Sequence, residues 1–123
     1  LSELHRVLRP GGALLLSAPF SWDEHEAPYD FARYTSFGLR HLLERHGFEV
    51  VAVEKTPGYV ETCFQLWNAY VCQRLFPQSR LASALLTPLF ITPVTLAALV
   101  LGRILPKDGR LFHDCLVSAR KPA

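Results

Sequence analysis

Several kinds of residue and motif are scarce in this sequence. No methionine occurs, and the seven glycines never form the G-x-G-x-x-G pattern that lets a backbone approach a bound dinucleotide. The three cysteines, Cys63, Cys72 and Cys115, form no C-x-x-C pair and leave an odd count. This favours a reducing, cytoplasmic compartment in which they act as small apolar residues. The net charge is only +2, and no basic stripe with interleaved aromatics occurs, which argues against nucleic-acid binding.

The composition is that of an ordered protein. Half of the 123 residues are hydrophobic, and the mean hydropathy is +0.15, values that exclude a disordered chain. The length allows one domain at most.

The amino-terminal segment predicts a helix, a corner and a strand. Leu4, Val7 and Leu8 recur at helical spacing, and Pro10-Gly11-Gly12 follows them as a stop signal. Residues 13–20 are an uncharged apolar run, which is typical of a strand buried on both faces inside a parallel sheet.

A second helix–strand pair follows a loop at residues 21–34. Thr35 is a suitable N-cap for a helix, and Gly47 a suitable C′ residue to end it. Residues 48–55 then alternate imperfectly and predict a strand, and residues 111–121 predict a last one. We expect these two strands to lie in one sheet.

The order of these motifs resembles that of a known enzyme family. The segments R-V-L-R-P-G-G at residues 6–12, H-E-A-P-Y-D-F-A-R-Y-T at residues 25–35 and G-F-E-V at residues 47–50 occur in that order. With the intervening strand and helix, this is similar to the carboxyl-terminal half of class I S-adenosylmethionine-dependent methyltransferases. The resemblance covers residues 1–58 and 110–122.

The resemblance implies an α/β fold. Residues 1–123 would form the carboxyl-terminal portion of a single Rossmann-like methyltransferase domain, with strands five, six and seven and a helical insertion at residues 60–105. Its activity would be methyl transfer from S-adenosylmethionine to a small-molecule or lipid-like acceptor. The Gly-rich turn and the acidic residue that hold the cofactor are absent, so we expect the isolated chain to be inactive. Ala18, Pro19 and Phe20 would supply only a wall of the cofactor pocket.

The loop at residues 21–35 holds the candidate site residues. It leaves the carboxyl end of a strand, where open α/β sheets bind ligands. His25 is the candidate general base, because an imidazole titrates near neutrality. Trp22, Tyr29, Asp30, Arg33 and Tyr34 are the candidate acceptor-binding residues.

Two alternatives stay open for Asp30 and Arg33. Their spacing of three allows an ion pair that fixes the loop, and a free Arg33 would instead clamp a carboxylate or phosphate. No metal is predicted at the adjacent residues 23–26, because neighbours on one loop seldom converge on one ion and no further ligand motif occurs.

Residues 81–102 contain no charged residue, and Arg80 and Arg103 bound them. The run is long enough to span a bilayer, but it also fits a hairpin of two helices broken near Thr87-Pro88 and Thr92-Pro93. We favour the hairpin, because a single span would separate two strands of one sheet. An exposed apolar face here would await a membrane, a lipid-like substrate or a partner chain. Another helix is predicted at residues 60–76, ended by Pro77.

Two alternative functions remain open. The chain is a non-catalytic interaction module in the first. In the second it is a membrane-peripheral protein anchored by residues 81–105.

Overall fold

The chain begins with a short helix, a glycine corner and a strand, as predicted. The computed structural model describes residues 1–76 and 79–123. Helix α1 spans Ser2–Val7 and strand β1 spans Ala13–Pro19. Gly11 has a φ of +75°, in the left-handed region that other residues resist, which explains why a glycine stands at this corner.

The described residues form two compact units. Unit 1 comprises residues 1–56 and 112–123, and unit 2 comprises residues 57–111. Unit 2 therefore brackets the predicted insertion at residues 60–105.

Unit 1 is built on a three-stranded sheet. Strand β2 spans Glu49–Thr56, strand β3 spans Asp114–Arg120, and the spatial order is β1-β3-β2. Strand β3 pairs antiparallel with both neighbours, so β1 and β2 run parallel to each other. The prediction that the strands near residues 48–55 and 111–121 share one sheet is confirmed.

Helix α2, Ser36–Arg45, connects β1 to β2 and packs on one face of the sheet. Thr35 caps it as predicted, because its Oγ1 accepts a hydrogen bond of 3.0 Å from the Gly38 N–H. Gly47, with a φ of +84°, follows the last turn, as predicted. The helix contributes Leu39 and Leu43 to a core shared with strand residues, among them Val117.

The environment of β1 differs from the sequence-based expectation. Strand β1 is an outer strand of the described sheet. Its residues alternate between the core and solvent, and Leu15 is 69% exposed. The expectation of a strand buried on both faces is wrong for the described residues, because they place neither a strand beside the free edge of β1 nor a helix over Leu15.

Unit 2 is an antiparallel helical hairpin. Its first arm is helix α3, Tyr59–Tyr70, continued by a π-helical turn at Val71–Leu75. Its second arm is helix α4, Arg80–Leu86, a π-helical turn at Thr87–Ile91 and helix α5, Thr92–Ile104.

Two contacts set the register of the arms. The Asn68 Nδ2 donates a hydrogen bond of 3.0 Å to the Thr95 Oγ1, and the Glu61 carboxylate lies against Gly102. The Tyr59 N–H donates to the Asp108 carbonyl over 3.1 Å, so the two ends of the unit meet.

The predicted break near the prolines is wrong. Residues 80–104 are continuously helical, so the two arms of the hairpin are residues 59–75 and 80–104 rather than two halves of residues 81–102. A proline ring clashes with the carbonyl four residues earlier in a regular α-helix. The wider π-helical turn at Thr87–Ile91 contains Pro88 and directly precedes Thr92-Pro93, so the helix continues through both prolines. The predicted stop at Pro77 lies outside the described residues.

The cysteines divide between the units. Cys115 is buried in unit 1, and burial raises the pKa of its thiol, which makes it the inert apolar residue expected. Cys63 and Cys72 are exposed free thiols on the hairpin.

Candidate functional site

The loop after β1 starts at the carboxyl ends of strands β1 and β2, where β3 begins. The backbone N–H groups of Phe20 and Ser21 both donate to the His113 carbonyl, and the Ser21 Oγ donates to the Phe112 carbonyl over 2.6 Å. At its far end, the Tyr34 N–H donates to the Pro19 carbonyl over 3.3 Å. Both ends of the loop are therefore fixed to the sheet.

An ion pair between Asp30 and Arg33 organises the interior of the loop. The guanidinium donates to both carboxylate oxygens, with 2.6 Å between Arg33 Nη2 and Asp30 Oδ2. It also bridges to the start of the loop, because Nη2 donates to the Asp23 carbonyl over 2.8 Å. This bidentate contact lowers the pKa of Asp30 and raises that of Arg33, so both groups stay charged.

The ion pair forms part of the wall of an open depression of about 320 Å³. Three of the six candidate site residues from the sequence, Trp22, Asp30 and Arg33, line it together with Glu24, Phe31 and Ala32. The Nε of Arg33 is buried and has no hydrogen-bond partner among the described residues. A buried N–H without a partner costs free energy, so the guanidinium is held here by its two terminal nitrogens alone.

His25 stands beside the ion pair, half-exposed. Its backbone N–H donates to Asp30 Oδ2 over 3.3 Å, and its Nδ1 lies 3.0 Å from the Asp23 carbonyl and 3.6 Å from Asp30 Oδ2. Because a carbonyl oxygen only accepts hydrogen bonds, the neutral ring carries its proton on Nδ1 and leaves the lone pair on Nε2. In this tautomer Nε2 is the ring nitrogen that is able to accept a proton.

The two tyrosines lie apart from the depression. Tyr29 is 73% exposed and contacts Phe31 edge to face, with 6.2 Å between ring centroids. Tyr34 packs against the core of unit 1. The structure thus brings together His25, Trp22, Asp30 and Arg33, and leaves both tyrosines outside this group.

The candidate cofactor-wall residues, Ala18, Pro19 and Phe20, lie at the end of β1 and the start of the loop. Ala18 is buried in the core, Pro19 ends β1, and Phe20 stacks on Phe112 with 4.5 Å between ring centroids. None of the three lines the depression. The glycine corner, Gly11-Gly12, lies at the opposite end of β1 from the loop, so it cannot cradle a ligand there.

A histidine–carboxylate pair at this edge was missed by sequence reasoning. His113 Nδ1 lies 3.0 Å from Asp114 Oδ2, and the His113 ring lies on Trp22 with 4.7 Å between centroids. The adjacent His and Asp were a visible signal, but only the pairing of β3 with β1 places them beside a loop that begins 91 residues earlier.

Within residues 1–76 and 79–123, no three His, Cys, Asp or Glu side chains come close enough together to hold a metal ion. No protein-family model matches the sequence, and no curated protein is similar to it. The geometry of the loop and the resemblance of its motifs therefore carry the functional argument.

Proposed function

We propose that this chain forms the acceptor-binding side of a class I S-adenosylmethionine-dependent methyltransferase. The observation that carries the proposal is the loop at residues 21–35, which begins at the carboxyl end of β1. There the Asp30–Arg33 pair organises the loop around an open depression, and the proposed base His25 lies beside that pair. Ligand sites of open α/β sheets lie at this edge.

The arrangement of the sheet supports the proposal. Strands β1 and β2 are parallel and connected through helix α2, as in a crossover unit of an α/β protein. Strand β3 lies between them and pairs antiparallel with both, so the described sheet combines strands of both directions, as mixed sheets of α/β proteins do. The free edge of β1 and the exposed Leu15 beside it are where further parallel strands and a covering helix would be added.

In the proposed function, different residues of the loop position the acceptor and accept its proton. Asp30 and Arg33 hold the backbone in place, and Trp22 and Phe31 offer aromatic surface. His25 Nε2 accepts the proton that an acceptor hydroxyl or amine must lose. Enzymes of the proposed class transfer a methyl group by direct displacement, for which positioning and the exclusion of water matter most. The proposal assigns the binding of the methyl donor to a segment outside residues 1–123, because the Gly-rich turn of the cofactor site does not occur in this sequence.

The first test is to read the coding sequence upstream of Leu1. The proposal expects a strand, a Gly-rich turn, a helix and a downstream acid there. The complete gene product is then incubated with S-adenosylmethionine labelled in its methyl group and with a total lipid extract as the acceptor pool. Incorporation of label into an extractable product supports the proposal. The proposal is overturned if the upstream sequence lacks this motif and calorimetry detects no binding of S-adenosylmethionine.

A matched pair of variants tests the role of His25. We expect His25→Asn to lower the rate of methyl incorporation by about 10² to 10⁴, the usual contribution of a general base. His41→Asn is the control, because His41 is an exposed histidine on α2, outside the loop. Equal rates for the two variants would remove His25 from the mechanism and leave the methyltransferase proposal standing.

The free edge of β1 also favours a second candidate, a non-catalytic interaction module. An uncovered apolar strand edge pairs readily with a strand of another chain. Leu15→Lys should then abolish complex formation in size-exclusion chromatography while leaving the monomer folded. A chain that stays monomeric at all concentrations and captures no strand peptide would exclude this candidate.

A further inference from the structure

The second arm of the hairpin in unit 2 exposes apolar side chains along its whole length. The most apolar 18-residue window of Leu81–Ile104 has a mean hydropathy of 2.1, and only 6% of this window is buried. A core helix of a soluble protein would be mostly buried, so the described residues do not use this helix as core. Its exposed large residues are Leu81, Leu85, Leu89, Phe90, Leu96, Leu99, Val100 and Ile104.

One side-chain hydrogen bond joins the two arms, while the Asn68 Oδ1 is buried without a partner among the described residues. Asn68 is 5% exposed and donates to Thr95 across the two arms, the kind of bond that holds helices together in an apolar medium. The Tyr59–Asp108 backbone bond brings both ends of the unit together. A hairpin can therefore enter lipid without placing β2 and β3, which share a sheet, on opposite sides of a membrane.

The lengths of the uncharged segments exclude a transmembrane hairpin. The first arm is uncharged only from residue 62 to residue 73, between Glu61 and Arg74, and this covers about 18 Å at 1.5 Å per residue. The hydrocarbon core of a bilayer is about 30 Å thick. Charges also occur at both ends of the hairpin, with Arg74 near the closed end and Arg103 and Lys107 near the open end. Insertion by the tip would carry Arg74 into hydrocarbon, whereas a hairpin parallel to the surface keeps all of these cations at headgroup level.

The charge of the hairpin fits one class of lipid. Residues 57–111 contain five Lys and Arg residues and two acids, a net charge of +3, whereas the rest of the chain has a net charge of −1. Cations that flank an apolar helix are attracted to anionic headgroups.

From these observations we propose that the hairpin of unit 2 lies in the interface of an anionic phospholipid bilayer, parallel to its surface. The exposed face of α4 and α5 enters the acyl layer. Trp67 and Tyr70, which are both more than half exposed on α3, lie at headgroup level, where amphipathic aromatic rings are favoured. This proposal goes beyond methyl transfer and does not depend on it.

Co-flotation with vesicles tests the proposal. The full chain is mixed with phosphatidylcholine vesicles with and without phosphatidylserine, and we expect it to float with the anionic vesicles and to be released by high salt. Leu96→Glu and Leu99→Glu should each lower the partition coefficient about tenfold or more, because each replaces a lipid-inserted side chain with a charge. The matched control is Phe37→Glu, the same kind of change at a residue of unit 1 that is 81% exposed.

Flotation that is unchanged in both leucine variants would overturn the proposal, provided that circular dichroism shows an unchanged helix content. Association of the lipid-free chain into dimers that Leu96→Glu dissociates, with no flotation, would assign the apolar face to a second copy instead.

The depth of Trp67 tests the orientation. In a Trp22→Phe chain, Trp67 is the remaining tryptophan, and its fluorescence is measured in vesicles that carry bromine at shallow or deep acyl positions. We expect stronger quenching by the shallow bromines. Stronger quenching by the deep bromines would refute the surface orientation, because it would place α3 near the middle of the bilayer.

Discussion

Truncation of Leu43 tests the account of the core of unit 1. The side chain of Leu43 is fully buried between α2 and the sheet, in one cluster with Phe48 and Val117. Leu43→Ala removes about three methylene equivalents, or about 2.4 kcal/mol of transfer free energy at ~0.8 kcal/mol each. The sheet cannot collapse fully into the space, and the remaining cavity raises the expected loss in the free energy of unfolding to about 3–4 kcal/mol.

The control for this prediction is Leu15→Ala, which removes the same atoms from a side chain that is 69% exposed. We expect it to cost less than about 0.5 kcal/mol. Urea unfolding is followed by the fluorescence of Trp22 in a Trp67→Phe chain, and midpoints are compared at unchanged slope. Losses of equal size in the two variants would refute the reasoning, because they would show that the described core face is not the face that stabilises the fold.

Two further predictions concern the loop and the helix after it. Thr35→Ala should lower the free energy of unfolding by about 1 kcal/mol through loss of the N-cap bond, and Thr35→Ser should restore most of it in the same urea assay. The folded pKa of Asp30 is lowered by Arg33, so the contribution of the pair to stability is complete above the unfolded pKa of about 3.9 and is lost as pH falls through the lower folded value. The amide resonance of His25, whose N–H donates to Asp30, should report this acid transition in the wild type and lose it in Asp30→Asn; a transition that persists in Asp30→Asn would contradict this.

The features that the sequence predicted correctly are those with local causes. A left-handed backbone at Gly11 and at Gly47 follows from the stop signals at these positions, and the cap at Thr35 follows from a hydroxyl placed three residues before an orphan N–H. The chain positions of the three strands follow from apolar runs bounded by turn residues.

The features that the sequence did not predict depend on distant residues. An apolar run indicates that a strand exists, but the exposure of Leu15 depends on what packs on each face of the sheet, which the run does not encode. The two prolines in the second arm of the hairpin predicted a turn, but the helix continues through both by way of a π-helical turn. The His113–Trp22 contact needed the pairing of β3 with β1.

The contacts of Arg33 distinguish between the two alternatives that the sequence left open, an ion pair with Asp30 and a clamp for an anionic ligand. Both of its terminal nitrogens already donate, to the Asp30 carboxylate and to the Asp23 carbonyl, so a clamp on an acceptor carboxylate or phosphate would have to break the contact that folds the loop. Its Nε–H is buried and has no partner among the described residues. Trp22 and Phe31 supply the aromatic lining of the same wall. If the proposed function holds, we therefore expect this depression to take an acceptor with an apolar or aromatic body rather than a polyanion.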